Sequence, residues 1–331
     1  GITAAGNFEG HSIPTRAMTR SDIMARFGAQ GLTQRDQLAQ RLLTIRQQRV
    51  APGRDDKLLT GWNALMIKGL LRHAALEWDK TAFAMAERAL RFLGQQLRDE
   101  QGRWYGVWRD GQRHTPAFLE DHAFLLDALL EAAAWLPQGP WLSWAEPIAQ
   151  TLLERFADPD GGFFSTPVDQ QDVIVRPKNH FDASIPSGNG MALAGLIRLA
   201  LATGNNSYRD QAARHLAWFK PILARSHGGH GQLALATDLL WHGAAEVVIA
   251  GDADHRLAAV TGRHYLPDPV VIQAAEPQQL PPHLRGRLDR PGAALCVSGQ
   301  CWPAVTQPDL WQQCLSQQHS LSHQSQVVDR H

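Results

Sequence analysis

Apolar residues recur along this chain in two alternating textures. Leu58–Glu77 is apolar nearly all round, whereas Thr81–Arg98 confines its apolar residues Phe83, Ala86, Leu90, Leu93 and Leu97 to one helical stripe. The pair repeats as Ala117–Leu136 followed by Trp141–Phe156, the latter striped through Ala145, Ile148, Leu152 and Phe156. It repeats again as Pro186–Ala202 followed by Ser207–Leu223, and Gln232–Trp241 has the texture of a fourth buried helix. The all-round helices start roughly 60 residues apart, a period long enough for one helical hairpin each. A helix that is apolar on every side must be covered on every side, and a striped one borders solvent. Alternation of the two therefore predicts an inner ring inside an outer ring: an all-α toroid of helical hairpins, only part of which is present.

The remaining stretches are shorter. Residues 1–32 read as irregular with one short helix around Ser21–Phe27, and Thr33–Arg49 reads as a charged helix ended by Ala51-Pro52-Gly53. Strand-like excursions are expected at 102–115 and 160–177. After Gly243 the texture changes, and 245–252, 269–274 and 293–297 read as strands around a short helix. VVIAGD lacks a G-x-G-x-x-G continuation, so a nucleotide site there is weak. The expected organisation is a partial toroid over 1–243, a small α/β portion over 244–316 and a disordered tail over 317–331.

Polar chemistry gathers where the inner helices begin. The first start carries Asp55, Asp56, Lys57, Trp62 and Asn63; the second Glu120, Asp121 and His122; the third Lys178, His180, Asp182, Ser187 and Asn189. Inner helices of a hairpin toroid run the same way, so their N-termini converge on one mouth, where unpaired N–H groups and the positive dipole ends suit a polar or anionic ligand. Glu120, Asp121, His122 and Asp182 are the candidate catalytic groups; Asp55, Asp56, Trp62, Asn63, Lys178, His180, Ser187 and Asn189 are candidate ligand contacts. Each has a plainer alternative. Asp56 and Ser187 are natural N-caps, Glu120 and Asp121 favour the dipole of a first turn, and His122 reads as a satisfied interior histidine. Lys178 and Asp182 read as a loop ion pair, and Trp62 as core or sugar platform.

Composition narrows the partners. The 331 residues hold 32 basic and 32 acidic side chains, which argues against a nucleic-acid or anionic-membrane surface. Eleven Trp against three Tyr fits helix cores and sugar stacking alike. The cysteines Cys296, Cys301 and Cys314 are odd in number and come without a targeting signal, so a cytoplasmic, reducing setting is expected. The C-x4-C spacing of Cys296 and Cys301 fits neither a redox C-x-x-C nor a zinc knuckle, and ordinary thiols are expected. No metal, cofactor, nucleic acid or membrane partner is expected.

GNFEG (6–10), DDKLLTGWNALM (55–66), FLEDHAFLLDALL (118–130), DPDGGFFST (158–166), RPKNHFDASIPSGNGMALAGLIRL (176–199), EVVIAGD (246–252) and ALCVSGQCWPAV (294–305) follow one another in order. Together they resemble the C-terminal two-thirds of the spermatogenesis-associated protein 20 family of YyaL-like, thioredoxin-domain-containing proteins. The resemblance implies an (α/α)6 toroid similar to six-hairpin glycosidases and N-acylglucosamine 2-epimerases, preceded by a thioredoxin-like domain. It also implies that this chain, opening at GITAAGNFEG, is a truncated portion without that domain and the first hairpins. The family carries no established activity, so no catalytic role is transferred. Two functions follow as expectations: carbohydrate-linked chemistry at the mouth, by a hydrolase with two carboxyls or an epimerase using His122 with His180; or a non-catalytic scaffold binding a glycan, peptide or partner for the thioredoxin-like domain.

Overall fold

The computed structural model describes residues 2–170, 173–226, 228–297 and 299–317. Two compact units are present, residues 1–56 and 57–331. In the first, Asn7 clamps a turn by bonding both backbone groups of Ile13, and a long helix α1 (Arg20–Gln47) follows. Thr19 and Asp22 form its capping box, and Gly28, with φ of 66°, breaks it into the two helices expected from the pattern. None of its residues is buried.

The second unit is built from hairpins of helices. A two-residue strand β1 (Leu58–Leu59) leads into α2 (Thr60–Glu77), which α3 (Lys80–Gln96) returns. A β-hairpin of β2 (Tyr105–Arg109) and β3 (Gln112–Pro116) precedes α4 (Leu119–Trp135), returned by α5 (Trp141–Thr151) and a π-helical turn to Phe156. Then come α6 (Gly188–Thr203), α7 (Ser207–Ala217), the short α8 (Lys220–Arg225) and α9 (Gly231–His242). Packing orders α2, α4, α6 and α9 as neighbours in one row, with α3, α5 and α7 lying against α2, α4 and α6 from outside. This is a partial (α/α)6-type toroid in which α4 and α6 are buried on nearly every side. At the end of the row α2 keeps an open flank, where Trp62 and Met66 are 62 % and 65 % exposed.

Small residues let the inner helices approach. A Cβ on Gly195 would lie 2.8 Å from a methyl of Leu126 on α4, and one on Gly190 would lie 2.4 Å from the Cβ of Gln232 on α9. Two of the expectations need correction. The 160–177 stretch is no strand: among its described residues only Phe163 makes a bridge, to Ala157, and two prolines and a pair of glycines with positive φ keep it a loop. Asp56 is no helix cap, because Leu58–Leu59 pair with Val107 and Trp108 of β2 and postpone the helix to Thr60.

The C-terminal portion forms a second sheet in the order β5-β4-β6-β7, made of β4 (Glu246–Ala250), α10 (Arg256–Arg263), β5 (Val270–Ala274), β6 (Gly292–Val297) and β7 (Gln300–Cys301). β4 and β5 run parallel through the α10 crossover; β6 pairs antiparallel with β4. It packs at the helix C-terminal ends: Gln273 donates to the Ala134 carbonyl, His283 meets the Leu201 carbonyl, and Gly262 abuts the backbone of Ala75. The sheet thus closes the face opposite the helix starts. The expected tail lies, from 318 onward, outside the described residues.

A buried ion network ties this face to the toroid. Arg198 on α6 bonds Asp127 at 2.5 Å and Glu131 at 3.3 Å, both on α4. Lys68 on α2 meets the other Asp127 oxygen at 2.8 Å, Arg72 meets Glu131 at 2.7 Å, and both reach Asp268 before β5 at 3.5 Å. Burial alone would lower the Arg198 pKa, but the charges of Asp127, Glu131 and Asp268 outweigh it and raise it. The same cations hold the Asp268 carboxyl below its ordinary range despite burial.

Candidate functional site

The inner helices do start at one rim, and side chains cross between their first turns. Asp121 of α4 accepts from the Gly61 N–H of α2 at 2.9 Å and, through its other oxygen, from the Phe118 N–H at 3.0 Å. A Cβ on Gly188 of α6 would come 2.9 Å from the Glu120 side chain of α4. Asp182 accepts from the Ser187 N–H at 2.7 Å and from the Gln232 N–H of α9 at 2.9 Å. Each of these two aspartates thereby satisfies backbone donors at helix starts that have no partner within the helix. Ser187 is the N-cap of α6, accepting from Gly190 N at 3.2 Å.

The positions of the other expected residues divide. Trp62, at the start of α2, is exposed rather than core, and Asn63 bonds back to the Leu59 carbonyl at 2.8 Å. Asn189 is fully buried and fastens the 158–166 loop: it accepts from Phe163 N at 2.7 Å and donates to the Phe163 and Asn179 carbonyls. Lys178 does not pair with Asp182. It pairs with Asp158 at 2.5 Å, donates to Gly161 O and lies over the Trp218 ring, while Asp182 accepts from the Ser187 and Gln232 N–H groups. Asp55 and Asp56 belong to the first unit, where Asp56 pairs with Arg54 on the surface at 2.9 Å.

The titrating groups have distinct surroundings. Burial pushes the Asp121 carboxyl up to about 6; the Phe118 and Gly61 N–H groups pull the other way, and the charge of Glu120 adds to the rise. His122 is buried, its Nδ1 2.8 Å from the Phe118 carbonyl, so Nδ1 carries the hydrogen and desolvation brings its pKa down to about 4. It is the interior histidine that its setting suggested. Glu120 accepts from the Asn179 amide at 3.3 Å through one oxygen, and its second oxygen makes no hydrogen bond among the described residues.

Two participants escaped sequence reading. His230, the N-cap residue of α9, stacks on His180 with centroids 5.1 Å apart and with its Nε2 3.0 Å from His180 Nδ1. His180 therefore pairs with His230 and not with His122, which faces Phe118 and Phe156 instead. Burial and the neighbouring His230 lower the His180 pKa. One imidazole of such a pair must accept, so at least one ring is neutral. Asn179, the second, bridges Glu120 to Asn189. The signal for His230 was present as Gly228-Gly229-His230 before an apolar helix. Phe181, 53 % exposed, stands edge-on to His230 beside this group. Among the described residues no cluster of three or more His, Cys, Asp or Glu is arranged to hold a metal ion, and no helix is long and apolar enough to cross a membrane.

Comparison with known proteins agrees with the motifs. No family model matches the chain. Human spermatogenesis-associated protein 20 is 27 % identical over 344 residues, covering 93 % of this chain and 44 % of the human protein. Among solved structures, cellobiose 2-epimerase from Spirochaeta thermophila aligns with a TM-score of 0.44 and 18 % identity, over 51 % of this chain and 45 % of that one. An α-mannanase from Bacteroides thetaiotaomicron aligns with a TM-score of 0.45 and 15 % identity, over 58 % and 53 %. The chain spans less than half the length of the curated relative it matches, and along nearly all of its own length it is similar to spermatogenesis-associated protein 20.

Proposed function

We propose that the mouth binds a reducing sugar and moves a proton at the carbon beside its carbonyl, as an epimerase or isomerase does, and that it does not hydrolyse a glycosidic bond. The observation that carries this reading is the commitment of the carboxylates. Hydrolysis uses two carboxyl groups about 5 Å or about 6.5–9.5 Å apart, one protonated and one ionised. Asp121 and Asp182 each accept backbone N–H groups through both oxygens and so serve as fasteners of the helix starts, whereas Glu120 accepts from the Asn179 amide through one oxygen and makes no such backbone bond among the described residues.

Glu120 does have partners suited to proton transfer. Its neighbour Asn179 orients one oxygen, and the next residue, His180, shares a hydrogen between two rings with His230. In this reading Glu120 takes the proton from carbon while the imidazole pair supplies one to the carbonyl oxygen, general acid–base steps worth about 10²–10⁴ in rate each. The exposed rings of Trp62 and Phe181 supply apolar faces for a sugar, and Asn63 and Asn179 supply amides for its hydroxyls. A thioredoxin-like domain elsewhere in a longer polypeptide is a proposed partner of this site.

The test is deuterium exchange. Reducing mono- and disaccharides are incubated with the full chain in deuterated water, and loss of the C2 proton is followed by NMR. Exchange that falls at least about 100-fold in Glu120→Gln and His180→Asn supports the proposal. Sugar-dependent thermal stabilisation without exchange in any variant would replace it with the binding-scaffold reading; release of a free sugar from a glycoside would refute the preference for proton transfer.

A further inference from the structure

The C-terminal sheet carries a bond that the proposed site does not use. β6 and β7 pair so that Cys296 stands directly opposite Cys301, their Cα atoms 4.0 Å apart, and the two sulfurs are joined in a disulfide. This corrects the expectation of ordinary thiols: C-x4-C is the spacing at which a tight antiparallel hairpin brings its two cysteines face to face. Cys314 is the free thiol among the described residues, and it is buried.

Three features set this disulfide apart from a structural staple. First, it closes a loop with a sequence separation of 5, and cross-links over short loops restrict the unfolded chain least. Second, backbone pairing holds the cysteines in register without it. Glu246 pairs with Cys296 on one side, while Trp302 N donates to Leu295 O at 2.9 Å and Ala293 and Val305 exchange bonds at 2.8 and 2.9 Å on the other. Third, the two sulfurs belong to opposite environments. Cys296 is 1 % exposed inside the sheet, whereas Cys301 is exposed on β7, the edge strand. Exchange rates depend on which sulfur an incoming thiolate can reach.

We propose that the Cys296–Cys301 pair is a thiol–disulfide exchange site that accepts two electrons from a protein dithiol, with Cys301 Sγ the sulfur attacked. The first thiolate of the reductant bonds to Cys301 Sγ, the Cys296–Cys301 bond breaks, and Cys296 leaves as a thiolate that takes up a proton. The second thiol of the reductant, on losing its proton, then attacks its own sulfur in the mixed disulfide and releases Cys301, which is protonated in turn. The reductant ends as a disulfide and the pair as two thiols, still facing each other across the hairpin. Because the register survives, a disulfide acceptor reverses the cycle: the Cys301 thiolate attacks the acceptor and one acceptor thiol leaves, then the Cys296 thiol, on losing its proton, attacks Cys301 Sγ and releases the second acceptor thiol.

The test uses the full chain in native buffer. Reduced thioredoxin serves as the protein dithiol, followed by iodoacetamide trapping and peptide mass spectrometry. The expected result is alkylation at Cys301, with Cys296 and Cys314 alkylated only by a second, isotopically distinct reagent added after unfolding, an unchanged thermal midpoint, and loss of Cys301 labelling after oxidised glutathione. Labelling that appears only at denaturant concentrations that unfold the whole chain would identify a staple and overturn the proposal. The direction of attack is read separately with 5,5′-dithiobis(2-nitrobenzoate) in a Cys314→Ser background. Cys296→Ser, which leaves the edge thiol, should react at least tenfold faster than Cys301→Ser; equal rates would overturn the assignment of Cys301.

Discussion

Arg198→Met offers the sharpest check on how the toroid is held together. The side chain sits between Asp127 and Glu131 and also reaches the Pro269 carbonyl at 3.4 Å, so it joins α4, α6 and the approach to β5. The network contains the cations Lys68, Arg72 and Arg198 and the anions Asp127, Glu131 and Asp268, so it is neutral as a set. Met fills similar volume without charge and leaves one anion in excess. Removing one partner of a buried pair costs about 3–5 kcal/mol. The low end applies here, because Lys68 still meets Asp127 at 2.8 Å and Arg72 still meets Glu131 at 2.7 Å; we expect about 3 kcal/mol. Asp127→Asn alone strands the guanidinium on Glu131 and should cost a similar amount. The double variant restores neutrality and should be more stable than the sum of the singles predicts by about 1–3 kcal/mol. Urea unfolding of all four proteins, followed by tryptophan fluorescence and compared at constant m-value, measures the coupling. Additive losses, or a single-variant cost below about 1 kcal/mol, would refute the idea that this network carries net stability.

Three further outcomes test the rim and the open flank. Asp121 has its folded pKa raised from 3.8 to about 6, so its contribution to stability is full below about pH 4 and is lost as pH rises through 6. The stability of wild type relative to Asp121→Asn should therefore fall by about 2–3 kcal/mol between pH 4 and 7.5 in denaturant melts; a constant difference would contradict the raised pKa. Asp182→Ala strands the Ser187 and Gln232 N–H groups and should cost about 2–4 kcal/mol, measured by thermal unfolding, with Asp182→Asn losing about half as much. The flank of α2, with Trp62 and Met66 exposed, should drive concentration-dependent association in light scattering, reduced in Trp62→Ser/Met66→Gln. A monomeric wild type with one cooperative transition would argue against that.

The helix order of this protein was legible because inner helices are apolar on every face and outer ones are not. Gly188–Thr203 and Leu119–Trp135 were recognisable from that property, as was their common direction, since each is returned by a striped partner. Arg198 also carried a readable signal: a single cation in so apolar a helix demands buried anions, yet nothing local names Asp127 and Glu131 as those anions, 71 and 67 residues away. The candidate site was legible as a location and illegible as chemistry. Asp121, Asp182 and Glu120 look alike in a sequence, and what separates them is how many backbone N–H groups from other helices each one meets.

Periodicity and composition alone therefore determined the architecture: buried and striped helices in alternation, a β-containing C-terminal portion, and polar groups at helix starts. Each depends on local spacing, which the chain carries along its length. Tertiary structure alone decided the pairings of His180 with His230 and Lys178 with Asp158, and the burial that raises Asp121. Partner choice and pKa depend on which distant groups arrive within a few ångströms and on how much water they displace, and no local pattern records either quantity.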